Sequence, residues 1–194
     1  EMCIRDSYMP VLNYLEELAS HIKIEEQHVV VLDWLNGNRS ILSNSHLTGS
    51  IFGLTLQTPY EMIHRAYIEA TAFGTKLIMK QFEDNHIPVH TVYASGGIPQ
   101  KSKLLVEIYA NVLNKKVVVL DSSNASALGA AMLGATVGNA YSTLKEAALS
   151  MKQPIAYIQE PEFQKVQAYE PLYHKYCELH DLLGRQYPEL SYLI

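Results

Sequence analysis

The chain has 194 residues, 48% of them hydrophobic and 18% charged, with a formal net charge of -5. This is enough for one globular domain, or a large piece of one, with ample material for a core. The acidic balance without like-charge runs argues against a nucleic-acid surface, two cysteines (Cys3 and Cys177) exclude a disulfide framework and suit a reducing cytoplasm, and no apolar run reaches membrane-spanning length.

Glu1 to Ser7 is polar, lacks the apolar centre of a signal peptide and shows no clear period; it reads as a non-native or disordered start. Val11, Leu12, Leu15, Leu18, Ala19 and Ile22 recur at helical spacing, with Glu16 and Glu17 facing outward. Val29 to Leu35 is a near-continuous apolar run and predicts a buried central strand, followed by a loop at Asn36 to Ser40. Thr58 as N-cap, Pro59 at the first position and Glu61 three residues after the cap predict a helix running to Gln81 or Phe82.

Val89 to Tyr93 predicts a strand, Ser102 or Lys103 to Leu113 a helix, and Lys116 to Leu120 a second buried strand ended by Asp121-Ser122-Ser123-Asn124. Ala125 to Val137 is a helix rich in small residues, with Gly138-Asn139 as its C-cap, and Leu144 to Met151 is a shorter helix. Pro154, Pro161 and Pro171 punctuate an irregular stretch before a terminal helix over Leu172 to Tyr187. Strands alternating with helices at this spacing indicate an α/β fold with parallel strand pairs.

The stretch most informative for chemistry is Val92 to Ser102. A strand runs into Ala94-Ser95-Gly96-Gly97 and then straight into a helix. Glycines allow close approach to the backbone, and free N–H groups at a helix start attract anions and acceptor atoms. The turn is either a ligand site or a plain strand-to-helix connection. It is not a P-loop, because Gln100 stands where the second glycine of that motif belongs. It is not a dinucleotide fingerprint either, since Gly129, Gly134 and Gly138 lie in or after a helix.

His174, Cys177 and His180 are spaced three apart on one helix, which puts the outer pair about 120° apart around the axis, too far to share an ion; no metal site and no catalytic triad are expected. Asp33, inside the apolar run, needs partners that Arg39 or a backbone donor would supply. Arg39 meets a phosphate or sugar hydroxyl, or else pins its own loop.

Taken together, Leu32-Asp-Trp-Leu-Asn-Gly-Asn-Arg-Ser40, Leu47-Thr-Gly49, Gly53-Leu-Thr-Leu56, Ser95-Gly-Gly-Ile-Pro-Gln-Lys-Ser102, Ile108-Tyr-Ala-Asn111 and Ala127-Leu-Gly-Ala-Ala131 resemble the carboxyl-terminal lobe of the FGGY carbohydrate kinases. The likeness runs from about Tyr14 to Arg185, in order. It implies a partial RNase H-like lobe of the actin-like ATPase superfamily, with the lobe over residues 8–160 and a helical extension over residues 161–194. It implies a cytoplasmic ATP- and Mg2+-dependent sugar kinase that phosphorylates L-ribulose in L-arabinose catabolism, with D-xylulose, D-ribulose and glycerol as the alternative acceptors.

By the same resemblance, Gly96 and Gly97 form the turn against the adenosine. Gln100, Lys101 and Ser102 sit at the helix start beside base and ribose, the Ala127–Ala131 helix packs behind them, and Asn38 and Arg39 line the cleft. Ser102 stands where the family often carries Asn, which implies a weaker or water-mediated base contact. The family's catalytic Asp and its Gly-Thr phosphate hairpin would fall upstream of Tyr8. The chain alone is therefore expected to bind nucleotide without turnover, and to expose a sheet edge that favours self-association. A non-catalytic nucleotide-binding module is the alternative of another class.

Overall fold

The computed structural model describes residues 2–121 and 124–192, with side chains from residue 11 onward; the predicted turn residues Ser122 and Ser123 lie outside them. Helix α1 (Met2–Ser20) is followed by a 3-10 turn at Ile24–Glu26 and strand β1 (Val30–Leu32), which pairs antiparallel with β2 (Ser50–Phe52). Helix α2 (Tyr60–Asp84) leads to β3 (Thr91–Ala94), the short helix α3 (Gly97–Lys101), α4 (Lys103–Leu113) and β4 (Lys116–Leu120). Then come α5 (Ala125–Val137), α6 (Leu144–Met151), β5 (Ile155–Gln159) and α7 (Phe163–Asp181). The second sheet has the order β3-β4-β5, with β3 parallel and β5 antiparallel to β4. Among the described residues β3 pairs with β4 alone, so its outer edge is open.

The Val-Val-Val-Leu run is buried, as its composition requires, but not by neighbouring strands. Val29, Val30, Val31 and Leu32 are each no more than 2% exposed. β1 lies in a two-stranded sheet and takes its cover from α2 and α7. The strand ends at Leu32, and the chain turns at once, with Leu35 N donating to Asp33 O at 2.8 Å. Leu35 is thereby 74% exposed, against the expectation of a strand running to that position.

Helix α2 starts one residue later than predicted, at Tyr60 instead of Pro59. Pro59 is the N-cap, and the Thr58 hydroxyl turns back to accept from Thr55 N at 2.9 Å. α2 is the hub of the fold, packing on α1, α4 and β1, while α7 packs on α4 and β1. Charged side chains bury at the junction of these helices as a satisfied network. Arg65 Nε donates to Glu69 Oε1 (2.8 Å), its Nη1 to Ala19 O (2.9 Å) and its Nη2 to Tyr169 Oη (2.7 Å). Gln27 Nε2 donates to Glu69 Oε2 at 3.1 Å. The network links α1, α2, α7 and the segment before β1, and no member is left half-paired, as a buried polar cluster must be.

Two further elements differ from the sequence reading. β5 forms in the stretch between Pro154 and Pro161, and α7 begins at Phe163 and carries Pro171 in its interior. An interior proline removes a helical donor and typically costs about 3 kcal/mol. Helix α7 offsets this by burying Tyr169, Leu172, Tyr176 and His180 along one face. Among the described residues no helix is long and apolar enough to cross a membrane.

Candidate functional site

The glycine turn closes the carboxyl end of β3, beside the parallel strand β4. Gly96 has φ 101° and ψ -179°, a conformation that a residue with a Cβ adopts only under strain, so the sharp entry into α3 depends on glycine there. Ser102 ends α3, its N–H donating to Ile98 O at 2.9 Å, and starts α4, its Oγ accepting from Leu105 N at 3.0 Å. Two bonds clamp the short helix to the sheet. Gln100 Nε2 donates to Leu120 O at 3.2 Å, and Tyr157 Oη donates to Pro99 O at 3.0 Å. Burial pushes the Tyr157 phenol up from its ordinary value, so it stays a donor through the neutral range. The turn is thus held from below by α4, β4 and β5. A Cβ placed on Gly96 or Gly97 would meet nothing within 4 Å, so the outer side of the turn faces open space.

At the same end of the sheet lies a cavity of ≈ 660 Å³, walled by Tyr93, Leu120, Leu128, Met132, Pro154 and Ile155. These walls are apolar, with Lys152 also lining the cavity. A cavity of this size and character suits the flat apolar body of a drug-sized ligand. Helix α5 forms one side of it. None of the residues of α5 is buried, although the helix carries no charged side chain. Its small residues therefore face a cavity wall instead of packing in a core.

The sequence-predicted site residues separate into distinct places. Gly96 and Gly97 sit at the open turn. Gln100 spends its amide on the end of β4, and Ser102 spends its hydroxyl on capping α4. Lys101 lines a shallow groove of ≈ 360 Å³ that also includes Glu16 and Glu17 of α1. Asn38 and Arg39 line a third cavity of ≈ 520 Å³, together with Asp33, Trp34 and Tyr176. Of the two partners the sequence offers Asp33, Arg39 or a backbone donor, Arg39 forms no ion pair with it among the described residues. Burial pushes the Asp33 carboxyl up from its ordinary value, and the hydrogen bond that opposes this comes from its own backbone N–H.

The residues missed by sequence reasoning are Tyr93, Met132 and the Lys152–Ile155 segment, which the fold gathers around the apolar cavity. The signal available was the small-residue, uncharged character of Ala125 to Val137, too uniform for a helix with one wet face. No group of three or more His, Cys, Asp or Glu among the described residues could hold a metal ion.

Comparison with known proteins follows the same lines. Residues 11–137 match the C-terminal domain of the FGGY family of carbohydrate kinases. Over 189 residues the chain is 95% identical to a ribulokinase of Staphylococcus epidermidis, covering 97% of this chain and 35% of that protein. Over 185 residues it is 70% identical to ribulokinase 1 of Staphylococcus saprophyticus, covering 95% of this chain and 34% of that one. In fold it is similar to the crystal structure of xylulose kinase from Rhodospirillum rubrum, with a TM-score of 0.77 at 22% identity over 95% of this chain and 36% of that one. The chain thus spans about a third of the length of the curated relatives it matches.

Proposed function

This chain belongs to the FGGY family of carbohydrate kinases, and from that premise we propose that it provides the nucleotide side of an ATP-dependent kinase whose acceptor is L-ribulose. The observation that carries the reading is the Gly96-Gly97 turn, open on its outer side and set beside an apolar cavity of ≈ 660 Å³ at the carboxyl ends of two parallel strands. Ligands of open α/β sheets collect at that end. The apolar walls receive the base of the nucleotide, and the backbone of the turn, with no side chain in the way, approaches the ribose and the first phosphates. Gln100 and Tyr157 act indirectly, by holding α3 against β4 and β5 so that the turn keeps its shape.

In such a kinase the phosphoryl group moves in line from ATP to the 5-hydroxyl of the sugar, with a carboxylate taking the hydroxyl proton. What this chain contributes is positioning: it binds the nucleotide, fixes its orientation and shields it from water. Magnesium, when bound with the phosphates, neutralises charge there. Among the described residues no group of three or more His, Cys, Asp or Glu would hold it, so its ligands here would be the phosphates. L-ribulose as the acceptor is supported by the 95% and 70% identity to proteins named ribulokinase.

The test is Gly97→Val. Because nothing lies within 4 Å of the added Cβ, the fold should melt as before. Nucleotide binding, read by calorimetry with ATP and ADP, should weaken by about tenfold or more, equivalent to ~1.4 kcal/mol. Unchanged affinity in a variant that melts normally would rule out the turn as the nucleotide site.

A further inference from the structure

A polar cavity of ≈ 270 Å³ opens where α2, α4 and α7 meet the end of α1, and it shares no lining residue with the nucleotide cavity or with the cavity beside Asp33. Two of its lining side chains are buried yet keep hydrogen-bond capacity. Asn111 on α4 is 1% exposed. Its Oδ1 accepts from Glu162 N at 2.7 Å, and its Nδ2 donates to no group among the described residues. Arg65 on α2 is 5% exposed. Each of its three nitrogens has one protein partner, but a guanidinium carries five N–H groups, so one on Nη1 and one on Nη2 remain for a further acceptor. Buried donors are satisfied by water or by a ligand, and here both sets line one cavity.

The cavity also lies at the amino end of α7. Gln164 and Lys165 of the first turn line it, and no side chain caps that end. The first backbone N–H groups of the helix, and its positive dipole end, are thus left for an acceptor.

The charges around the cavity nearly cancel. Lys165 Nζ donates to Glu107 Oε1 and to Glu162 Oε1, each at 2.7 Å. Arg65 pairs with Glu69 at 2.8 Å, and Lys23 on the rim lies 3.9 Å from Glu26. Glu25, also on the rim, joins no ion pair among the described residues. These carboxylates repel a multiply charged anion, so selection rests on donor geometry instead of net field. A carboxylate carries one charge over two coplanar oxygens, which matches the edge of a guanidinium and an amide. The volume is below the range for drug-sized ligands, so the occupant is small.

We propose that this cavity is a binding site for a small monocarboxylate, of the size of acetate or pyruvate, held by Arg65, Asn111 and the amino end of α7. Its occupant bridges α2, α4 and α7, and binding therefore stabilises the helices around the buried Arg65–Glu69 pair.

The experiment titrates the 194-residue chain with acetate, pyruvate and inorganic phosphate, with chloride holding the ionic strength constant, read by thermal melting and, for the two methyl-bearing carboxylates, by saturation-transfer NMR. Wild type, Asn111→Asp and Gln164→Trp are compared. Asn111→Asp keeps an oxygen for Glu162 N and removes both Nδ2 donors. Gln164 is exposed on the rim, so an indole there covers the mouth without removing a buried contact. At least one carboxylate should bind and raise Tm by about 3–6 °C at ten times its Kd. Both variants should weaken it by about tenfold. Should Asn111→Asp fail to fold, Gln164→Trp alone decides. The proposal is overturned by no saturation transfer from either carboxylate, by equal affinity in wild type and the folded variants, or by phosphate binding in place of the carboxylates.

Discussion

Glu69→Ala should be among the most destabilising single changes in this chain, and the structure says by how much. Glu69 is 1% exposed and Arg65 5% exposed, one helical turn apart on α2. Removing the carboxylate strands the guanidinium without its counter-charge. It also takes an acceptor from Gln27 Nε2 (3.1 Å) and from Tyr169 Oη (3.2 Å). Breaking a buried pair in this way costs about 3–5 kcal/mol. In a domain of this size 1 kcal/mol shifts Tm by ~2–4 °C, so the expected fall is about 6–20 °C. Tyr169→Phe keeps the ion pair and loses only the hydroxyl, which accepts from Arg65 Nη2 at 2.7 Å. It should cost about 1.5–3 kcal/mol, the range for hydrogen bonds to charged groups. The double variant Arg65→Met/Glu69→Leu removes both charges at once and should lie close to wild type. Scanning calorimetry, checked by urea unfolding, reads all three. If Glu69→Ala melts within ~2 °C of wild type, or above the double variant, then the network is not what joins α1, α2 and α7, and the reasoning fails.

Asp33→Asn should raise Tm at pH 7. Burial holds the folded carboxyl above its ordinary value of 3.8, so the folded state takes up the proton first on acidification. Wild-type stability therefore rises as pH falls through the folded value, and the advantage of Asn shrinks and closes near pH 3.8; an advantage that grows towards acid would contradict this. Ser102→Ala removes the cap that accepts from Leu105 N and should cost about 1 kcal/mol, seen as a lower urea midpoint with unchanged slope. Gly96→Ala should cost about 1–3 kcal/mol from backbone strain at φ 101°, whereas Gly97→Ala should melt as wild type does; equal melting of the two would remove the strain argument.

Asp33 also shows why stability and function are read together here. A half-buried carboxylate with no ion-pair partner among the described residues weakens the fold, even though it lines a cavity of ligand size. From the sequence the same residue reads as a buried Asp satisfied by Arg39 or by a backbone donor of the following loop. In the fold the loop is pinned through two backbone bonds between Asn38 and Asn44, and Asp33 and Arg39 form no ion pair among the described residues.

Local rules were sufficient where the deciding contacts are local. Lys103–Leu113 with its Ser102 cap, Lys116–Leu120, Ala125–Val137 with Gly138 at its end, and Leu144–Met151 behind the Thr143 cap all stand where their own residues place them. Each is set by periodicity, by a side chain three positions from the backbone it caps, or by a glycine at a terminus. So was the glycine turn, because the backbone path of the turn itself requires glycine at position 96.

What depended on distant residues was decided by the tertiary structure. Ile155–Gln159 is a strand because β4 offers it an edge, despite prolines on either side. Helix α7 continues through Pro171 because Tyr169 and Tyr176, either side of it, are buried against elements far upstream. Val30–Leu32 is buried by helices and not by strands, a distinction that an apolar run cannot carry. Within the Gln27–Arg65–Glu69–Tyr169 network a single hydrogen bond, Arg65 to Tyr169, joins positions 104 residues apart. The two cavities are likewise assembled from segments that meet only in the folded chain, since burial and charge pairing depend on which surfaces touch, whereas caps and turns depend only on neighbours along the backbone.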